Sequence, residues 1–202
     1  MPAMTGDGWP ASVAMIHVAG SAHRSFTFPA DLPTTFAYYS DLGYILHFLP
    51  NIYVTRTYDA NQFRVCYSAT ELGVYQVDIF CDLQATLDTD EYALRLGPLN
   101  GVSPHPTRRG IHSTAAAGTF ASESLFFPDG DQTRIDYRLE LRADLPTPLG
   151  LRFMPGKIIN GIASSITHHR IEEIADGFIK RSIQAFPDWL GELGQDRLKK
   201  RR

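Results

Sequence analysis

The residues with the clearest chemical potential are hydroxyl-bearing side chains that recur among apolar residues in the middle of the chain. Tyrosine and serine hydroxyls can orient a bound molecule, while apolar walls bury its body at about 25 cal/mol per Å². The same residues can also form a filled core, in which each hydroxyl bonds to another side chain, to the backbone or to buried water. The residues concerned are Tyr67, Tyr75, Tyr92, Ser122, Ser124 and Tyr137.

The adjacent histidines His168 and His169 are the best candidates for acid–base chemistry. Neighbouring residues of a helix point about 100° apart, so this pair cannot chelate one metal ion as an i,i+4 pair can. His169 falls near the apolar stripe of Ile158 and Ile162 and can reach the mouth of a cavity, whereas His168 faces away. No carboxylate at a fixed spacing orients either ring, so a surface histidine is the alternative interpretation.

Two basic segments also allow two interpretations each. The segment Pro98–Ser113 contains three prolines and two glycines besides the pair Arg108 and Arg109. It is either a lid over a cavity, with arginines that meet a phosphate or carboxylate headgroup, or a solvated loop. The basic residues of 197–202 either make transient contact with an anionic membrane or form a solvated end.

Composition excludes several classes of protein. A net charge of −3 gives no positive field that would hold nucleic acid, so no nucleic-acid partner is expected. The two cysteines are too few for a disulfide scaffold and favour a reducing compartment, cytoplasmic or stromal in type. The sequence contains no phosphate-binding glycine loop, nucleophile elbow, zinc motif or dinucleotide fingerprint. It therefore predicts no cofactor, no metal and no assigned catalytic residue, and an enzyme is the less favoured interpretation.

The hydrophobic period changes to two between Ile52 and Ala143, which is typical of antiparallel strands. We expect three hairpins, with turns at 71–73, 89–90 and 129–130. These turns place apolar and aromatic residues on one face of the sheet and charged residues on the other. The last turn puts Glu123 on the outer face, opposite Asp136. The predicted pairs include Tyr67 with Val77, Val65 with Ile79, Leu87 with Tyr92, Ser124 with Ile135, and Phe120 with Leu139.

Helices flank this predicted sheet on both sides. Asp31 is a good N-cap for a helix with Pro33 in its first turn, and a second short helix follows before Pro50. A proline-broken connector over 145–155 precedes a long helix from Gly156 to about Phe186. A one-sided apolar sheet needs a cover, and this last helix is the only predicted element large enough to supply it.

The chain resembles the helix-grip superfamily of START lipid-transfer domains, birch-pollen-allergen-like proteins and polyketide-cyclase-like proteins. The resemblance is carried by the strand ending Phe26–Pro29, the helical pair ending Phe48-Leu49-Pro50-Asn51, and the long helix from Gly156. The proline-rich connector resembles most closely a family of unknown function that is common in photosynthetic organisms. The resemblance implies an α+β helix-grip fold, in which a curved seven-stranded antiparallel sheet wraps a long C-terminal helix, with two short helices after the first strand. It also implies an apolar cavity between sheet and helix, but no single function.

We therefore expect residues 1–20 to form a flexible arm, in which Val13–Val18 can form a short strand, 21–190 the helix-grip domain and 191–202 a basic tail. The expected function is carriage or sensing of a hydrophobic or amphipathic small molecule, such as a lipid, an isoprenoid or a pigment-like compound. The alternatives are a cyclase- or aromatase-like enzyme that uses a cavity tyrosine or His169, and an assembly factor with a filled core. The candidate ligand-binding residues are Phe63, Val65, Tyr67, Tyr75, Val77, Ile79, Tyr92, Phe120, Ser122, Ser124, Tyr137, Leu139, Ile162, Ile166 and His169.

Overall fold

The structure, a computed structural model, describes residues 14–101 and 105–199, with side chains described as far as residue 191. Within these residues the predicted order of one strand, two short helices, a run of strands and a long helix is confirmed. The elements are β1 (Met15–Phe28), α1 (Leu32–Ser40), α2 (Leu42–Ile45), β2 (Ile52–Asp59), β3 (Gln62–Glu71), β4 (Tyr75–Asp88), β5 (Ala93–Pro98), β6 (Arg108–Arg109), β7 (Ser113–Asp129), β8 (Gln132–Pro146) and α3 (Gly156–Lys199).

The strands form one open sheet in the order β1-β8-β7-β5-β4-β3-β2, and β6 adds a two-residue pairing to β7. The pairing of neighbours along this path is antiparallel. One parallel contact is present, between 76–80 of β4 and 113–117 of β7. It arises because β5, which separates these strands elsewhere, is only six residues long and leaves their first residues free to pair.

All three predicted hairpins form, but each register differs by two residues from the expected one. Tyr67 lies opposite Ile79 rather than Val77. Leu87 lies opposite Leu94 rather than Tyr92, and Ser124 opposite Tyr137 rather than Ile135. Each turn is centred one residue further along the chain than predicted, which changes the register by two. Because side chains alternate with a period of two, the predicted inner and outer faces are preserved.

The capping of α1 is confirmed, since Asp31 accepts a hydrogen bond of 2.9 Å from the Thr34 backbone N–H. The ends of the expected domain differ from the structure. β1 starts at Met15, so residues 15–20 pair with β8 instead of forming an arm, and 1–13 lie outside the described residues. α3 continues past its internal Pro187 to Lys199, through the start of the expected tail. Trp189 beyond this proline is buried, and its packing favours continuation of the helix.

The end of the core nearest the second half of α3 is filled by aromatic rings. Phe28 lies 4.8 Å from Phe186 and 5.3 Å from Tyr39, measured between ring centroids. The Tyr38 hydroxyl donates to the Ser182 carbonyl at 2.7 Å, and the Tyr39 hydroxyl lies 2.9 Å from the Ser182 hydroxyl. We call this region the aromatic end. The hydroxyls of both tyrosines have a hydrogen-bond partner within it.

Candidate ligand cavity

An apolar cavity of about 120 Å³ lies between the sheet and the first half of α3. Its sheet wall comes from the start of β1, the end of β3, the start of β4 and the end of β8. Its helix wall comes from residues 159–174 of α3, and the connector between β8 and α3 closes one side. Leu72 and Met154 line the cavity although they are 59% and 41% exposed, so the cavity reaches the surface between them.

A charged cluster forms one edge of the cavity. Glu71 accepts hydrogen bonds from the Tyr67 hydroxyl at 2.9 Å and from Arg170 Nε at 3.1 Å. Arg170 also reaches Glu173, at 2.6 Å through Nη1. These bonds to carboxylates raise the pKa of Arg170, while burial and the bond to Glu71 raise the pKa of Tyr67. The guanidinium is therefore occupied by protein carboxylates, and Tyr67 is a poor source of protons near neutral pH.

The remaining hydroxyls of the cavity differ in their availability. Thr114 donates to the Pro146 carbonyl and Thr167 to the Ala163 carbonyl, so neither has a hydroxyl proton left to donate to another molecule. The Tyr75 hydroxyl has no hydrogen-bond partner among the described residues. It lies beside the backbone of Gly150, where an added Cβ would come within 3.3 Å of the hydroxyl oxygen. Tyr75 therefore supplies the one uncommitted hydroxyl that lines the cavity within the described chain.

Six of the fifteen predicted site residues line this cavity. Eight of the others pack elsewhere in the core, because the aromatic end occupies that part of the sheet–helix space; seven are sheet residues on the inner face, and Tyr92 lies in the turn before β5. Tyr137, for example, packs on Phe178 with ring centroids 5.1 Å apart, and Tyr92 packs on Phe36 at 5.3 Å. The residues that line the cavity are Tyr67, Tyr75, Val77, Ile79, Ile162 and Ile166. Those that do not are Phe63, Val65, Tyr92, Phe120, Ser122, Ser124, Tyr137 and Leu139.

The fifteenth residue, His169, lies outside the cavity, and the expectation that it reaches the mouth is wrong. Its side chain is exposed and borders a shallow groove on the outer face of α3 with Glu172 and Lys180. The reason is helical geometry: Arg170 takes the inward position, and the preceding residue points about 100° away. The acid–base role considered for His169 has no support from this position.

The segment Pro98–Ser113 is held mainly on the outer face of the sheet and contributes no lining to the cavity within its described residues. His105 Nε2 lies 2.9 Å from Asp82 Oδ2, and Arg64 Nε binds the other oxygen of this carboxylate, Oδ1, at 2.7 Å. Arg108 pairs with Asp78 at 2.9 Å, and Arg109 Nε donates to the Thr147 carbonyl at 2.7 Å. Arg108 is bound to β4 and Arg109 to the connector between β8 and α3. Neither arginine is therefore available as a headgroup ligand in a lid.

Glu123 lies on the outer face as predicted, but it faces Arg138 rather than Asp136. Arg95 Nε donates to its carboxylate at 2.8 Å, which gives the glutamate a structural role. Cys66 and Cys81 are free thiols, both buried. Burial raises the pKa of Cys66 to about 11 and that of Cys81 to about 12, so both remain protonated and unreactive near neutral pH.

Sequence reasoning missed most of the cavity wall supplied by the connector and by β1. Ile16 and Val18 alternate with His17 and Ala19, which is a strand signal, but they fell inside the expected arm. Leu151 and Met154 come from the proline-broken connector, whose irregular backbone carries no period that would indicate a face. Only the tertiary structure identifies these residues as lining.

Neither a metal centre nor a membrane-spanning helix is evident in the described part of the chain. Its histidine, cysteine, aspartate and glutamate side chains form no group of three or more that could hold a metal ion. None of its helices combines the length and apolar character that crossing a bilayer requires.

No family model matches the sequence, and no curated protein matches it either. The finer resemblance to a family of unknown function from photosynthetic organisms therefore has no support in these comparisons.

Among solved structures, human STARD10 is similar at 12% identity and a TM-score of 0.49, over 85% of this chain and 66% of that one. Zhui aromatase/cyclase from Streptomyces sp. R1128 is similar at 11% identity and a TM-score of 0.46, over 89% of this chain and 93% of that one. A START superfamily protein from Mycobacterium smegmatis is similar at 16% identity and a TM-score of 0.42, over 81% of this chain and 97% of that one. The element order, the sheet path and the long C-terminal helix of this chain are those of the helix-grip fold.

Proposed function

We propose that this chain carries or senses a hydrophobic or amphipathic small molecule, which it binds in the cavity between the sheet and the first half of α3. The observation that supports the proposal most directly is an apolar cavity that reaches the surface, lined by one hydroxyl that has no partner among the residues described. A filled core would place side chains in this space, because protein interiors are normally packed as densely as organic crystals. The ligand-binding residues of the proposal include Tyr67, Tyr75, Val77, Ile162 and Ile166.

The size of the cavity restricts the ligand. An apolar cavity of ~150 Å³ holds a benzene-sized molecule, whereas sites for drug-sized ligands span ~300–1,000 Å³. The cavity of about 120 Å³ therefore fits a compact ring or the apolar end of a longer molecule. The remainder of a lipid, isoprenoid or pigment-like ligand would extend past Leu72 and Met154 at the mouth.

The charges of the cavity edge restrict the polar group of the ligand. Arg170 is occupied by Glu71 and Glu173, so a ligand carboxylate would have to displace a protein carboxylate to pair with it. The cluster of two carboxylates and one guanidinium also carries net negative charge, which disfavours an anionic headgroup. A neutral hydroxyl or carbonyl, hydrogen-bonded to Tyr75, fits the cavity better.

Small aromatic probes test the proposal directly. Toluene and p-cresol are titrated into the full chain, and binding is followed by methyl NMR of the lining isoleucines. We expect saturable shifts at Ile162 and Ile166 with both probes. Tyr75→Phe should weaken p-cresol by about three- to tenfold and leave toluene unchanged, since one neutral hydrogen bond contributes ~0.5–1.5 kcal/mol.

A matched pair of variants locates the binding site. Ala163→Phe places a ring in the cavity and should abolish the binding of both probes. Ser164→Phe adds the same ring one residue later, on an exposed position of the same helix, and should leave binding intact. Saturable binding that survives Ala163→Phe, or no binding to the unaltered chain together with no apolar molecule in solvent extracts of it, would contradict the proposal.

A further inference from the structure

Exposed large apolar side chains concentrate around the mouth of the cavity. The described residues have eleven of them, and six belong to the segments 72–74, 110–112 and 153–158 at or next to the mouth. The segment 110–112 joins the connector through bonds from the Leu149 and Gly150 N–H groups to the carbonyls of 110 and 111. We call these six residues the mouth patch: Leu72, Val74, Ile111, Phe153, Met154 and Ile158, of which Phe153 is the most exposed at 83%.

The segments 110–112 and 153–158 of the mouth patch lie in stretches whose charges are of one sign, whereas the acidic Glu71 precedes Leu72. The stretches 99–122 and 145–170 contain arginines, histidines and a lysine but no aspartate or glutamate. Arg152 lies over the Phe153 ring at 4.4 Å, and both Arg152 and Lys157 are exposed. Neither of these two cations has a carboxylate partner among the described residues. The nearby carboxylate of Glu71 is bound by Arg170 and Tyr67.

We propose that the mouth patch docks on the surface of an anionic phospholipid membrane. Phe153 and Met154 insert among the acyl chains, while Arg152 and Lys157 meet the anionic headgroups. Exposed aromatic and aliphatic side chains next to cations that have no carboxylate partner in the described chain suit the membrane interface, because apolar burial and headgroup attraction act together there. A protein partner would need carboxylates placed to match both cations, whereas an anionic lipid surface presents them everywhere.

Docking in this orientation has a consequence for the cavity. Leu72 and Met154 belong both to the mouth patch and to the cavity lining. A docked molecule therefore turns its cavity mouth toward the acyl region, where an apolar ligand is most soluble. The docking itself rests on exposure and charge, and it does not require that the cavity hold a ligand.

Co-sedimentation with vesicles tests the docking. The full chain is mixed with vesicles of phosphatidylcholine and phosphatidylserine at 7:3, and with vesicles of phosphatidylcholine alone. We expect binding to the anionic vesicles that weakens with salt. The double variant Phe153→Ser/Met154→Ser should weaken it by tenfold or more, and Arg152→Glu and Lys157→Glu by about fivefold each. Tyr53→Ser, which removes a side chain 58% exposed on β2, is the matched control and should bind unchanged.

Three outcomes would overturn the docking proposal. The first is no binding to anionic vesicles. The second is binding that survives the patch variants but is lost when Lys199, Lys200, Arg201 and Arg202 are replaced by serine, which would assign the contact to the basic end. The third is a dimer in sedimentation velocity that the Phe153→Ser/Met154→Ser variant converts to monomer, because the patch would then join two copies of the chain. Vesicle binding without probe binding would retain the docking and reject only the proposed function.

Discussion

The two halves of α3 cover the same sheet in different ways. Between residues 171 and 189 the helix buries a side chain at almost every turn, among them Ile171, Ile174, Phe178, Phe186 and Trp189. Between 156 and 170 only Ile159 and Thr167 are buried. Beyond residue 174 the helix lies on the rings of the aromatic end, whereas residues 159–174 lie over the cavity. The contrast shows that this fold concentrates its packing in one region and leaves the other open.

Side-chain size accounts for the difference. The aromatic end draws rings from β1, α1 and α3, and edge-to-face contacts such as Phe28 with Phe186 fill space efficiently. The cavity end is lined mostly by isoleucine, valine and leucine, together with Ala163. A stable aromatic end therefore holds α3 in place while its first half stays loosely packed.

The largest expected effect comes from removing a ring of the aromatic end. Phe186→Ala should lower the free energy of unfolding by ~3–5 kcal/mol, because it removes buried area and leaves a void. Ile166→Ala at the cavity should cost only about 1 kcal/mol, because this side chain is half-buried and already borders empty space. Urea denaturation measures both. Equal costs would show that the two halves of the helix are packed alike.

A smaller effect is expected from the hydrogen bonds of the aromatic end. Ser182→Ala leaves the buried Tyr39 hydroxyl without its partner and should cost ~1–3 kcal/mol. Tyr39→Phe removes that hydroxyl itself, and the Ser182 hydroxyl keeps its bond to the Ile179 carbonyl, so it should cost less. Denaturant titration of the two variants side by side distinguishes them. A larger cost for Tyr39→Phe would contradict the importance of this pairing.

The smallest effect comes from ionisation of the buried tyrosines, which lowers the stability of the fold only at alkaline pH. Burial raises the pKa of Tyr38, Tyr39 and Tyr137 above the ordinary value of 10. Above about pH 10 the unfolded chain loses these protons while the folded chain retains them, so stability falls as the pH rises. Absorbance at 295 nm should show these phenolates only in a step that coincides with unfolding. Gradual ionisation of all tyrosines in the folded protein would contradict the packing of the aromatic end.

Much of the fold follows from local patterns. Alternation assigned the inner face of β8 correctly, with Ile135, Tyr137, Leu139 and Leu141 all buried. The predicted faces are correct although the predicted registers are wrong by two residues. A shift of two residues keeps each side chain on the same face of its strand. The pattern could not place the turns to the residue, since several neighbouring glycine and aspartate positions satisfy the same turn chemistry. Gly130, for example, adopts a positive φ of 66° within the turn that links β7 and β8.

The sequence by itself determined which residues face inward and in what order the elements come, because those depend on periodicity along the chain. Only the tertiary structure decided which inward residues border empty space. Ser122 and Tyr75 both lie on strands of the same sheet, yet only Tyr75 lines the cavity. That outcome depends on where rings from β1, α1 and α3 meet, and on which turn of α3 lies opposite. Such contacts join residues more than a hundred positions apart, and no local period records them.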